Sequence, residues 1–346
     1  MRYSRVCVEA LGYELAPIVV SSAALEDRLA GLYKSLYLTP GQLAALTGIR
    51  ERRFWNPGQR MSDGAVAAAR KAMATANIEP GEIGAVIYCG VCRDNLEPAT
   101  ACAVAAGLGI GGASVIQDIS NACLGVLSGM IDVANRIELG QIKAGLVVSC
   151  ESSREINDIM IERLLHTATM DNYKTSLATL TGGSGAVAVL LTDADHSVSQ
   201  HRLVSQAIRS APEHHKICRW GPDTGIPASA PMIMETDAPA VLTHGVTLGR
   251  ATWRDFLNTT GWSPSQVDRV ICHQVTAGHR AAILGALEIP LDRDFSTFEY
   301  LGNIGTVSLP MTLAIAAERE VMRAGDRVGL LGIGSGLNCM MLGVEW

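Results

Sequence analysis

At 346 residues the chain exceeds what one simple hydrophobic core supports and falls short of three domains, so two units of similar size are expected. Apolar residues make up 48% of it, aromatics are scarce, and 35 glycines accompany many alanines and valines, which suits helices packed closely on strands and excludes an aromatic binding platform. A formal charge of −6 excludes the basic footprint of a nucleic-acid surface.

Glu9 and Glu14 interrupt the only early apolar run, so no export signal is expected. Helical patterning over 63–77 leads to a strand over 85–89, a helix over 99–108, a strand over 115–119, a helix over 124–139 and a strand over 144–150. "GAVAVLL" (185–191) is another strand, and the stretch after it, "LLTDADHSVSQHR" (190–202), divides the chain into 1–193 and 194–346. The second part repeats the alternation with helices over 253–260, 276–287 and 308–323 and strands over 269–272 and 327–333. Such alternation favours parallel sheets covered by helices. Two segments break it, 152–181 and 211–245, each long enough for a lid, a substrate wall or a partner contact. The charge-free stretches 99–116 and 328–344 approach membrane-spanning length, but their Gly and Ala content reads as buried core, so no membrane span is expected.

The alternation is also a repeat. "PGEIGAVIYC" (80–89) has its counterpart in "PSQVDRVICH" (264–273), and the helix stop at Gly140 has one at Gly325, with offsets of 184 and 185 residues. Under the same offset Cys123 corresponds to Ser308, so two helix starts face each other across a pseudo-dyad. Gly125 and Gly129 would let the first of these helices approach its mate closely. His273 at a strand end and Asn303 before the second helix then converge with Cys123 on one centre.

That constellation has a chemistry. A thiol at a helix N-terminus meets unpaired N–H groups and the positive end of the helix dipole, which favour thiolate. Such a cysteine can attack a thioester and hold the acyl group covalently. His273 and Asn303 can donate to the carbonyl oxygen of a second thioester and stabilise its enolate. The backbone N–H of Cys123, with one from the turn Gly334-Ser335-Gly336, that of Ser335, would form the oxyanion hole for the first carbonyl.

Other features have plainer readings. Nine cysteines, an odd number without framework spacing, point to a reducing cytoplasm. Cys89 and Cys92 have redox-motif spacing, yet they follow the strand-like "AVIY" and lack a second pair, so both are expected to be buried thiols. "GLGIGG" (107–112) follows a helix instead of a strand and is no dinucleotide fingerprint. His214 and His215 lie in a polar loop without a third ligand, and are expected to face solvent with no metal.

The order Cys123, His273, Asn303, together with "TGIRERR" (47–53), "GNIGTVSLP" (302–310) and "GIGSGLN" (332–338), resembles the thiolase superfamily and its ketoacyl synthase III enzymes. The resemblance covers essentially the whole chain. It implies the α/β thiolase fold, duplicated βα halves in a five-layered αβαβα sandwich, a homodimer, and Claisen condensation of acyl thioesters with no further cofactor. "RDNLEPAT" (93–100), "HQV" (273–275) and the C-terminal run resemble more particularly the OleA-type thiolases of head-to-head olefin biosynthesis. Those enzymes carry a glutamate where Glu97 stands, and the resemblance implies that it serves as base in the partner subunit's site. A malonyl donor makes its own carbanion by losing CO2, whereas an unactivated acyl thioester must yield an α-proton to a base. In a lipid-lined pocket desolvation would raise such a carboxylate and strengthen it as a base.

Three features depart from the chains this sequence resembles. Gln42 and Leu46 stand where CoA-primed relatives hold the adenine with Trp and Arg, Leu301 replaces a histidine before Gly302-Asn303, and 152–181 differs from OleA-type chains. Acyl-CoA and acyl carrier protein thus both stand as donors, and Gly334 and Gly336 as substrate contacts. Besides non-decarboxylative condensation, two alternatives remain: a decarboxylative 3-oxoacyl-carrier-protein synthase III using malonyl-carrier protein, and acyl transfer to an oxygen or nitrogen nucleophile.

Overall fold

The structure, a computed structural model, describes residues 1–222 and 232–346. The chain opens with β1 (Val6–Leu15), β2 (Ile18–Ser21), α1 (Ser22–Arg28), α2 (Ala30–Ser35), α3 (Gln42–Thr47) and β3 (Glu51–Phe54), which pairs with β2. Next come α4 (Met61–Ala76), β4 (Ala85–Tyr88), α5 (Thr100–Leu108), β5 (Val115–Asp118), α6 (Gly125–Glu138) and β6 (Ala144–Glu151). Helices α7 (Arg154–His166) and α8 (Met170–Leu180) precede β7 (Gly185–Asp193). Then follow β8 (Arg202–Ser210), β9 (Cys218–Pro222), β10 (Met232–Thr236), α9 (Ala238–Thr260) and β11 (Arg269–Cys272). The chain closes with α10 (Ala277–Ala286), α11 (Phe298–Leu301), α12 (Ser308–Glu318), β12 (Arg327–Gly334) and β13 (Asn338–Glu345).

Nine strands join in the order β11-β12-β13-β8-β1-β7-β6-β4-β5. Strands up to Asp193 fill one side and strands from Arg202 the other, and the two sides join where Cys7 of β1 pairs with Arg202 of β8 and Arg2 bridges to Ser205. The sheet is mixed instead of parallel: β5-β4-β6 and β11-β12 are parallel, the remaining pairs antiparallel. Only residues 335–337 separate β12 from β13, too few for a crossover, so that pair must turn back on itself.

Five layers result. Helices α4 and α5 cover the outer face of the first side, where Ala65, Ala68, Ala69 and Ala72 form the buried stripe of α4 at helical spacing. A Cβ on Gly12 of β1 would lie 2.1 Å from the Ala68 carbonyl oxygen, so α4 rests directly on strand backbone. Helices α6 and α12 fill the centre, packed against strands of both sides. Every residue of α12 from Ser308 to Ala316 is buried, as expected of a helix apolar all round. Helices α9 and α10 cover the outer face of the second side.

Several expectations change. Helix α9 starts at Ala238 instead of 253, and α12 ends at Glu318, not 323. Segment 152–181 is mostly α7 and α8, which pack on α1 and α2 around Leu25, Leu29, Ile161 and Leu164. Segment 211–245 holds β9, β10 and the first turns of α9, and its residues 223–231 lie outside the described residues. Among the described residues no helix is long and apolar enough to cross a membrane, and no cluster of three metal-ligating side chains occurs.

Candidate active site

Cys123 stands where β5 hands over to α6. The Asp118 carboxylate at the end of β5 accepts the N–H groups of Thr100 and Ala101, which fastens that strand end to the start of α5. Ala122 then takes φ +45°, a left-handed conformation that costs a non-glycine residue about 1–2 kcal/mol. A single 3-10 turn, Ala122–Leu124, carries Cys123 into α6. This sharp turn leaves the thiol half-buried at the head of the helix.

The glycines behind it have a different neighbour from the one expected. A Cβ on Gly125 would lie 2.3 Å from the Cys89 carbonyl oxygen, and one on Gly129 would lie 2.4 Å from the Cys89 sulfur. They let α6 descend onto the end of β4, not principally onto α12. The link to the second half is polar: Val126 N–H donates to Thr306 Oγ1 at 2.7 Å, in the 3-10 turn Gly305–Val307 that follows Asn303.

The thiolate expectation is also corrected. Burial pushes the Cys123 thiol up to about 12, the Cys218 thiol and the Glu151 carboxylate add to the rise, and the cysteine's own N–H opposes it. One 3-10 turn presents too few free N–H groups to outweigh desolvation. The resting side chain is a thiol.

His273 follows β11, and its N–H donates to the Leu331 carbonyl of β12 at 2.9 Å. Burial, helped by neighbouring His279, holds its imidazole down at about 4, so it is neutral at physiological pH. Its Nδ1 is buried with no hydrogen-bond partner among the described residues. Gln274 anchors this strand end to the approach to Asn303: its Nε2 donates to Cys272 O, and its Oε1 accepts from Thr297 and Phe298 N–H.

Asn303 is held by its backbone, with its N–H on Thr181 O and its carbonyl on Gly183 N–H, both at 2.9 Å. Gly302 before it has φ +69°, and a Cβ there would lie 2.5 Å from Thr181 O, so glycine is required. Asn303 Oδ1 accepts Gly305 N–H at 3.0 Å. That bond orients the amide and leaves Nδ2 as the donor for a substrate oxygen.

The glycine-rich turn after β12 reaches the same place. A Cβ on Gly334 would lie 3.4 Å from the backbone nitrogen of Cys123. Asn338 Nδ2 donates to Asn121 Oδ1 at 3.0 Å, binding the far side of the turn to the residues before the cysteine, while Gly336 takes φ +144°. Ser335 Oγ donates to Cys218 Sγ at 3.0 Å, which brings β9 to the rim. The turns bearing Cys123 and Asn303 and the turn 334–336 therefore pack together, and β11 runs beside β12 with His273 at its end.

Glu97 is not drawn into this group by its own chain. It is exposed on the loop before α5, beside Leu96, which is 99% exposed. The lipid-lined pocket expected to desolvate it is not supplied within one chain. Cys89 is buried and Cys92 partly so, both free, and "GLGIGG" is the end of α5 and its turn. His215 is exposed, but His214 stacks on His244 at 3.7 Å and is only partly open.

Sequence reasoning missed Glu151, the charged last residue of apolar β6, which is 3% exposed. It missed Cys218 and Thr306 as well. For Glu151 a signal existed, a lone carboxylate closing an otherwise apolar strand.

Residues 257–346 match the family described as 3-oxoacyl-[acyl-carrier-protein (ACP)] synthase III C terminal. Over the full length of both proteins the chain is 56% identical to an acyl-CoA:acyl-CoA alkyltransferase of Shewanella oneidensis and 34% identical to one of Xanthomonas campestris. A solved structure of a cysteine-to-serine variant of Xanthomonas campestris OleA, with bound lauric acid and lauroyl-CoA, superposes with a TM-score of 0.93 at 34% identity, covering 99% of this chain and 100% of that one. Other structures of that protein carry substitutions of the same cysteine, of a glutamate and of a histidine. Its glutamate and cysteine stand the same number of residues apart as Glu97 and Cys123.

Proposed function

Since this chain belongs to the acyl-CoA:acyl-CoA alkyltransferases, condensing enzymes of the thiolase fold, we propose how its own residues divide the work of joining two fatty acyl thioesters. Cys123 attacks the first acyl-CoA, forms a thioester and releases CoA. The N–H groups of Cys123 and Ser335 hold the carbonyl oxygen while it carries charge, and Gly334 and Gly336 leave room for the chain. Neutral His273 receives the thiol proton as the sulfur attacks. CoA leaves as a thiol, taking the proton that His273 received, which returns the imidazole to its neutral form.

For the second acyl-CoA, Glu97 of the partner subunit removes an α-proton. His273 and Asn303 Nδ2 hydrogen-bond the enolate oxygen. The carbanion attacks the Cys123 thioester, the new C–C bond forms, and the C–S bond breaks to give the cysteine thiolate, which regains its proton as Glu97 gives up the one it took. The product is a 2-alkyl-3-ketoacyl thioester. Helices α7 and α8 with the β9–β10 hairpin serve as substrate wall, tied together by Thr179 Oγ1 on Met234 O and by Arg163 on Glu235.

The observation that carries this reading is the meeting of the Cys123, Asn303 and Gly334 turns at one point, each from a different stretch of chain. A homodimer is supported by β5, the last strand at one edge of the sheet, and by exposed Leu96 and Glu97 on the loop before α5. Nine unpaired cysteines support a reducing, cytoplasmic setting.

Lauroyl-CoA alone, and then with malonyl-carrier protein, separates the chemistries when the Cys123 adduct and the products are followed by mass spectrometry. Condensed product from lauroyl-CoA alone, abolished in Glu97→Gln while the Cys123 adduct persists, is expected. Turnover only with malonyl-carrier protein, unaffected by that substitution, would sink the reading.

A further inference from the structure

Strand β6 is buried throughout and ends on Glu151. Its Oε1 accepts Val91 N–H at 2.8 Å and its Oε2 accepts Cys92 N–H at 3.0 Å. Those two peptides begin the loop that ends at Glu97. Against the other side of the carboxyl lies the turn that follows Asn303: a Cβ on Gly305 would sit 3.6 Å from the Glu151 carboxyl carbon. The third neighbour is Cys123, whose thiol feels the Glu151 charge. Tyr88, Cys92 and Cys150 also face the carboxylate, and the cation that acts on it is Arg93, which makes no ion pair with it.

A buried carboxylate without an ion-pair partner is a costly way to fill space, since an apolar side chain would pack there without desolvation. What the carboxylate does there is hold two adjacent N–H groups at once, one on each oxygen. The loop is pinned again two residues on, where Asp94 Oδ1 accepts Met61 and Ser62 N–H and Asp94 N–H donates to Thr100 Oγ1. Residues 95–98 alone project beyond these anchors.

We propose that Glu151 is a positioning residue for condensation, fixing the base of the Glu97 loop against the turns that bear Cys123 and Asn303. It acts through Glu97 and so rests on the reading that Glu97 is the base. Glutamine at 151 accepts one of the two N–H groups and turns its own NH2 toward the other, which frees the loop. Above about pH 7, where the carboxyl is ionised, it also removes a negative charge from beside the thiol. The two halves of the reaction thus respond in opposite senses.

Single-turnover measurements on the full-length protein with lauroyl-CoA test this, with acylation of Cys123 and release of condensed product timed separately. In Glu151→Gln condensation should fall roughly 10- to 100-fold, the range for a misplaced catalytic group. Acylation should hold its rate or rise. Glu151→Asp, which keeps charge and both oxygens, should recover condensation beyond the glutamine variant. Wild-type condensation in Glu151→Gln, or equal losses of acylation and condensation, overturns the proposal. Should the glutamine variant fail to fold, equal losses in Glu151→Asp overturn it instead. Full condensation in Glu97→Gln overturns the reading of Glu97, whatever residue 151 does.

Discussion

Glu151 and His273 titrate against each other, and separating them tests the electrostatics of the site. Burial pushes the Glu151 carboxyl from 4.5 up to about 7 and holds the His273 imidazole down from 6.5 to about 4. Between pH 4.5 and 6.5 the unfolded chain binds a proton at His273 and the folded chain does not, so stability rises with pH by about 1.4 kcal/mol per pH unit. At Glu151 the folded chain holds the proton and the unfolded one has lost it, so stability falls with pH by about the same amount. The two slopes cancel in the wild type. Glu151→Gln leaves the histidine slope uncovered, and acidification from pH 6.5 to 4.5 should cost it about 2 kcal/mol more than the wild type, the slope being partial near the unfolded pKa. His273→Asn leaves the carboxylate slope and should gain about 2 kcal/mol relative to the wild type over the same interval. Urea unfolding at fixed protomer concentration reads both, and shared background titrations drop out of the differences. Parallel stability curves for all three proteins would refute the assignment of these protons.

Two further outcomes follow from the geometry around the cysteine. With its thiol near 12, Cys123 is about 10⁻⁴ ionised at pH 8, so iodoacetamide should modify exposed Cys102 first. Cys123 alkylation, read by digestion and mass spectrometry, should climb about tenfold per pH unit up to pH 10; a plateau below pH 9 contradicts the burial argument. Gly125→Ala forces a methyl to 2.3 Å from a backbone oxygen and should lose about 1–3 kcal/mol of stability together with Cys123 acylation. Gly111→Ala, with nothing within 4 Å, is the comparison, and equal melting curves and acylation in the two variants would show that α6 has room to spare.

The strands and helices of both halves were legible because each carries its period and its stops in its own residues. Helix α4 has alanines at helical spacing and ends on left-handed Asn77, and both repeat units begin with Pro in a capped 3-10 turn. The first turns of α9 were not legible. Pro239, Gly245 and Gly249 dilute the helical signal, and the reason for the two glycines is tertiary: a Cβ on either would meet Ile333 or Ile283 at 2.7 or 2.8 Å. Cys123, His273 and Asn303 could be singled out because their spacing repeats a pattern. The state of the thiol could not, since it depends on burial and on the charges of Cys218 and Glu151, which lie far from it in the chain. Glu151 was overlooked because a charge ending a strand ordinarily marks the surface.

A thiol near 12 beside an imidazole near 4 also constrains how acylation begins. Moving the proton from sulfur to nitrogen in the empty site creates two buried charges, each opposed by desolvation. A preformed thiolate–imidazolium pair is therefore a poor starting state. The proton must move as the tetrahedral oxyanion gathers charge, when donors aimed at that oxygen offset the separation.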